Sequence, residues 1–246
     1  MIHIYSDLEG ISQAAAEIFI DAAQQAIHSH GRFSVALSGG STPRRLYEIL
    51  ATPPFRDRVK WQSVHVFWGD ERCVPMDDPR SNYRMAREAL LDRVPLPGGN
   101  IHPMQGDLPP AEAARRYEVA LRNYFRDQPP AMDLVLLGLG DNAHTASLFP
   151  HTPALNENVR WVTDVYVDAQ DMHRITLTAP FINRAAQVVF LVSGADKARA
   201  LQIVTEGAYQ PHIYPAQLIH PNGAHPIWLV DKAASHKLTV EIEEEV

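Results

Sequence analysis

Apolar residues along this chain fall into two alternating patterns. Short runs at 33–37, 64–68, 134–137, 188–192 and 227–230 are rich in β-formers, and several are apolar on successive residues. That is the pattern of strands buried on both faces. Between them the spacing changes. Ile11, Ala15, Ile18 and Ala22 recur every three or four residues, as do Ala114, Tyr117, Leu121 and Tyr124. Each set lies on one helix face. Strand-helix alternation predicts an α/β fold with three αβα layers around a mostly parallel, Rossmann-like sheet. Residues 161–178 break the rhythm: two β-rich stretches follow each other with no helix between. They predict a small β insertion or an antiparallel edge pair. Pro53-Pro54, Pro109-Pro110 and Pro129-Pro130 punctuate loops, and neither a flexible linker nor a repeat divides the chain. Residues 1–246 are therefore expected to form a single domain. The four glutamates within 241–246 are expected to form a solvated tail or a final edge.

Composition narrows the function classes. Lys and Arg total 22 against 29 Asp and Glu, a net charge of −7, which argues against nucleic acid as a partner. Cys73 is the sole cysteine, so no intramolecular disulfide can form and a reducing compartment is favoured. No apolar run reaches the ~20 residues of a membrane span, and no signal-peptide pattern opens the chain, so a cytoplasmic protein without a membrane partner is expected.

In open α/β sheets, ligands bind beyond the carboxyl ends of the strands. After the first central run comes Ser38-Gly39-Gly40-Ser41-Thr42-Pro43. Thr42 reads as a helix N-cap with Pro43 at the first helical position, and the glycine pair lets an anion approach free backbone N–H groups. The second run leads into Gly69-Asp70-Glu71-Arg72. Arg72 offers a forked donor for phosphate, and Asp70 a carboxylate to orient a histidine or a sugar hydroxyl. The third leads into Gly138-Leu139-Gly140-Asp141-Asn142-Ala143-His144. Its G-x-G-x-x-A spacing superficially matches a dinucleotide fingerprint, but it lies mid-chain and Pro150 soon follows. It reads better as a catalytic turn, with His144 near a helix start whose dipole keeps the imidazole neutral. The fourth is Ser193-Gly194-Ala195-Asp196-Lys197, where a lysine at a helix start makes sense beside an anion. Arg174 is a further candidate phosphate contact. His144 and His151 have no carboxylate at ligand spacing, so no metal is expected, and no G-x-S-x-G elbow is present.

These segments, with Arg174-Ile175-Thr176-Leu177-Thr178 and His144-Thr145-Ala146-Ser147-Leu148-Phe149-Pro150, occur in an order that resembles the 6-phosphogluconolactonases of the pentose phosphate pathway. The resemblance implies the fold shared with glucosamine-6-phosphate deaminases and hydrolysis of 6-phospho-D-glucono-1,5-lactone, a sugar-phosphate lactone, without a cofactor. It implies His144 as general base and Asp70 as the acidic partner. It implies substrate binding by Gly39, Gly40, Ser41, Thr42, Arg72 and Lys197. A monomer or weak homodimer is expected. The family commonly has Asp-Gly before the histidine, where this chain has Asn142-Ala143. Ala143 thus puts a Cβ where a positive φ is wanted. The rival readings are a deaminase-isomerase and a non-catalytic sugar-phosphate sensor. Against the first, Thr145-Ala146-Ser147 stands where deaminases have an Ala-Phe-Asn-Glu-like stretch.

Overall fold

The computed structural model describes residues 1–126, 128–221 and 225–239. The glutamate-rich segment 241–246 lies outside the described residues. Strands β1 (Ile2–Tyr5), β2 (Phe33–Leu37), β3 (Val64–Trp68), β5 (Leu134–Gly138), β8 (Gln187–Val192) and β9 (Ile227–Asp231) form one sheet in the order β1-β9-β8-β5-β2-β3. Every neighbouring pair in it is parallel. β2 is buried along its whole length and β8 along all but its first residue, which is why both read as unbroken apolar runs.

Helices cover both faces. Phe33 pairs with Val64, so Phe33 and Phe67 point to opposite sides of the sheet. Phe19 of α1 (Leu8–His30) meets Phe33 edge-on at 5.2 Å. Tyr124 of α4 (Pro110–Phe125) meets Phe67 at 5.0 Å on the other side. The expected three layers follow. Among the described residues, no helix is long and apolar enough to cross a membrane.

The 161–178 region is not an edge of this sheet. β6 (Val162–Val167) and β7 (Met172–Leu177) pair antiparallel and gain a third strand, β4 (Asp70–Arg72). The charged triplet that follows β3 is thus itself a strand, because β7 supplies backbone partners for it.

The parallel sheet reverses its winding at β2. The chain moves from β2 outward to β3, then returns to place β5 on the other side of β2. The crevice at the carboxyl ends of β2 and β5 is therefore a topological switch point, where such sheets bind ligands.

Two half-buried histidines meet at β3: His65 lies on the strand and His102 packs against it. His102 stacks on Phe67 at 4.4 Å, and its Nε2 lies 3.3 Å from Nδ1 of His65. Burial pulls His102 down to about 4, with His65 adding to the effect, and burial also lowers His65. The folded state thus holds fewer protons than the unfolded chain between about pH 6.5 and 4. Stability present above that window is lost on acidification through it. We expect the thermal unfolding midpoint to fall by a few degrees across the window, and His102→Phe to weaken the dependence, read by calorimetry over a pH series. An unchanged slope in the variant would refute this.

Candidate functional site

The turn after β2 enters α2 (Ser41–Leu50) directly. The N-cap is Gly40, at φ 107°, and no side chain caps the helix. This corrects the reading of Thr42 as cap and Pro43 as first helical residue: the helix begins at Ser41, and Thr42 and Pro43 sit inside its first turn. Pro43 is tolerated there because first-turn N–H groups have no intrahelical acceptor. The turn is clamped from behind by the buried Tyr47. Its hydroxyl donates to the Ser38 carbonyl at 2.8 Å and accepts from the Ser38 N–H at 3.0 Å. The first-turn N–H groups and the Ser41 and Thr42 hydroxyls are left for an anion.

The charged triplet of β4 divides its labour. Glu71 is buried and points away from solvent. Its carboxylate accepts backbone N–H groups of Arg72, Asn82 and Tyr83, each at 2.8 Å, so it anchors the start of α3 (Asn82–Ala89). Asp70 accepts from the Ser147 hydroxyl at 2.6 Å and from Asn82 Nδ2 at 3.3 Å, and lies 3.6 Å from Arg174 Nη1. Ser147 is fully buried. Ser147→Ala would leave a buried carboxylate short of a donor, at a cost of about 1.5–3 kcal/mol, measurable by urea unfolding. A loss below 0.5 kcal/mol, on the order of a surface substitution, would contradict it.

Arg72 and Arg174 are directly paired across β4 and β7, so their side chains leave the same face. Arg72 donates to the Arg80 carbonyl and Arg174 to the Gln170 side chain. In both, Nε is buried without a hydrogen-bond partner among the described residues. Burial lowers Arg174 below the usual arginine range; Asp70 opposes this and Arg72 reinforces it. Two opposed guanidinium groups repel unless an anion lies between them. Lys197 ends the 3₁₀ turn Ala195–Lys197 after β8, its Nζ 2.9 Å from the exposed Asp196 carboxylate. Such an exposed pair is weak and leaves the ammonium available to another anion.

His144 sits in a loop of turns, not at a helix start, and no helix follows it before Pro153. The expected helix-dipole effect is therefore absent. The imidazole is still pulled down to about 4, chiefly by burial, with Asp70 the largest opposing influence. Its ring stacks on Phe149 at 4.0 Å. Gly140 lies against its Nδ1–Cε1 edge, where an added Cβ would stand 2.0 Å from Nδ1 and 2.1 Å from Cε1. Asp70 makes no hydrogen bond to His144; the ring instead meets the side-chain oxygen of Asn142, at 2.5 Å from Nδ1. Ala143 does take a positive φ, 62°, and is buried.

All the residues singled out from the sequence line one cleft of about 260 Å³: Gly39, Gly40, Ser41, Thr42, Asp70, Arg72, His144, Arg174 and Lys197. Asn82 lines it too. The roles of Ser147 and Tyr47 escape the sequence reading, whereas Asn142 is expected from the sequence to keep a hydrogen bond at the histidine turn and Ser81-Asn82 to open a helix. Ser81 does cap that helix. Among the described residues, no group of three or more histidines, cysteines or carboxylates could hold a metal ion.

The family model for glucosamine-6-phosphate isomerases/6-phosphogluconolactonase matches residues 6–228. The chain is 49% identical over 218 residues to a 6-phosphogluconolactonase of Synechocystis, covering 87% of this chain and 88% of that one. It is 44% identical over 243 residues to a 6-phosphogluconolactonase of Nostoc, covering 97% and 98%. The solved 6-phosphogluconolactonase of Trypanosoma cruzi superposes with a TM-score of 0.85 at 27% identity, covering 97% of each chain. A model match of this extent and relatives this similar give one conclusion: the chain belongs to the glucosamine-6-phosphate isomerase/6-phosphogluconolactonase family.

Proposed function

We propose that this protein hydrolyses 6-phospho-D-glucono-1,5-lactone to 6-phospho-D-gluconate, the lactone-opening step of the oxidative pentose phosphate pathway, with His144 as general base. The observation that carries the reading is one cleft holding both a neutral imidazole and an anion site. The anion site is built from the paired guanidiniums of Arg72 and Arg174, the ammonium of Lys197 and the open start of α2. A phosphate bound there holds the sugar ring, and the lactone carbonyl faces His144. His144 takes a proton from water as the oxygen attacks C1. Backbone N–H groups at Gly39 and Gly40 receive the developing oxyanion. His144, now imidazolium, returns the proton to the ring oxygen as the C1–O bond breaks. Asp70 lends its negative charge to the imidazolium without touching it, and is placed to accept from a sugar hydroxyl. No cofactor enters this scheme.

The test is turnover of freshly made lactone, coupled to 6-phosphogluconate oxidation, with spontaneous opening subtracted. Release of ammonia from glucosamine 6-phosphate would favour the deaminase reading instead. Phosphosugar binding without turnover would favour a sensor. The same reading makes residues 1–246 one functional domain, since the proposed contacts run from Gly39 to Lys197 and no part of the cleft can be split off. Cytoplasmic residence fits the single Cys73, which burial pushes up to about 11 and so keeps as an unreactive thiol. A monomer or weak homodimer is our expectation, to be read by light scattering.

A further inference from the structure

We propose that Asn142 is the positioning residue for His144: its side-chain oxygen locks the imidazole in the Nδ1–H tautomer, makes Nε2 the basic atom, and adds no charge to the ring. This rests on the reading of His144 as general base.

The lock follows from one shared acceptor. Asn142 Oδ1 lies 3.2 Å from the backbone nitrogen of His144 and 2.5 Å from its ring Nδ1. A backbone N–H can only donate, so the atom facing it must be the amide oxygen and not the NH₂ group. An amide oxygen can only accept, so the ring nitrogen facing that same atom must carry the proton. The lone pair is then on Nε2, which has no hydrogen-bond partner among the described residues. A side-chain amide facing a catalytic histidine ordinarily risks the opposite outcome, because the amide can rotate, present NH₂ and stabilise the wrong tautomer. Here rotation would set NH₂ against the backbone N–H of His144, donor against donor. The contact from Asn142 to the N–H two residues on is an Asx turn, and it spans Ala143. The same bond therefore helps hold Ala143 at φ 62°. Phe149 stacked on the ring and Gly140 against its Nδ1–Cε1 edge limit the remaining rotational freedom.

Charge is the second consequence. The charged groups facing the ring are Asp141 from its own loop, Asp70 from β4, Arg174 from β7 and Lys197 after β8. They are two carboxylates and two cations, which act on the ring in opposite directions. A neutral Asn142 leaves that balance undisturbed. A carboxylate in its place would accept the same two bonds and add a negative charge in contact with the ring, which favours the protonated imidazole.

Two variants and one spectroscopic measurement test this. Asn142→Asp keeps both acceptor bonds, so we expect the acid limb of kcat/KM to move up by at least about one pH unit with KM nearly unchanged. Asn142→Ala frees the ring, and we expect kcat to fall by about 10–100-fold with a smaller change in KM. In the wild-type protein, ¹⁵N spectra of labelled histidine should show His144, assigned by its loss in His144→Ala, with a protonated Nδ1 and an unprotonated Nε2 at pH 7. An Nε2–H tautomer or an even mixture would overturn the proposal whatever the variants do. So would an acid limb unmoved in Asn142→Asp, or wild-type kcat in Asn142→Ala. The tautomer is read without substrate. Failure of the wild type to hydrolyse the lactone would sink the proposed reaction and leave the tautomer result standing.

Discussion

Replacing His144 by alanine is expected to lower kcat by about 10²–10⁴-fold while leaving the unfolding midpoint within a few degrees of wild type. The magnitude is that of a positioned general base removed from an otherwise intact site. The anion site is spared, because Arg72, Arg174, Lys197 and the start of α2 make no hydrogen bond to the imidazole. KM for the lactone should therefore change far less than kcat, which is the pattern of an interaction realised only in the transition state. The fold is spared because the ring's partners, Phe149 and Asn142, keep their own anchors in the loop. The pH profile carries the same information. His144 sits near 4, so the base is already deprotonated at neutral pH. Wild-type kcat/KM should stay flat on acidification from pH 7 and fall only as pH approaches about 4. His144→Ala should lack that limb. Turnover within about threefold of wild type in the alanine variant, in the coupled assay with spontaneous opening subtracted, would remove His144 from the mechanism.

What the sequence disclosed and what it hid follow from where each signal is stored. The central strands announce themselves because burial on both faces demands an unbroken apolar run, as in Phe33–Leu37. β1 and β4 do not. Ile2-His3-Ile4-Tyr5 is a half-buried edge, and Asp70-Glu71-Arg72 is a strand only because β7 lies beside it. The rule that ligands gather at strand ends pointed to the segments that line the cleft, since a glycine turn after an apolar run is a local feature. The partners of those segments are not local. Asp70 meets Ser147 across 77 positions of chain, and no spacing argument reaches that far. The His144 loop misled for a related reason. A glycine-rich turn usually opens a helix, but Ala143, Ala146 and His151 all take positive φ and keep this segment out of one.

Gly39→Ala is expected to damage both stability and catalysis, through a single added methyl group. An ideal Cβ at Gly39 stands 1.8 Å from Asn82 Oδ1 and 2.5 Å from its Cγ. Asn82 cannot swing aside. It is buried, its Nδ2 donates to the Asp70 carbonyl at 2.9 Å, and its backbone N–H is held by Glu71 at 2.8 Å. The strain therefore passes to one of two places. Either Asn82 is torn from Asp70, or the turn between β2 and α2 backs away from α3. Overpacking of this kind costs about 1–3 kcal/mol, read as a lower urea midpoint at unchanged slope. Both outcomes also move groups of the cleft, the Asp70 carboxylate in one and the open start of α2 in the other. A displacement on the order of 1 Å is enough for a loss of about 10²-fold in kcat/KM. Gly99→Ala is the control, because a Cβ there meets nothing within 4 Å and should change neither quantity. The collision can be isolated by making room for it. Asn82→Ser shortens the opposing side chain, so the double variant should be more stable than the sum of the two single losses allows, an interaction of about 0.5–3 kcal/mol. Strict additivity would show that the cost at Gly39 comes from elsewhere in the turn and not from contact with Asn82.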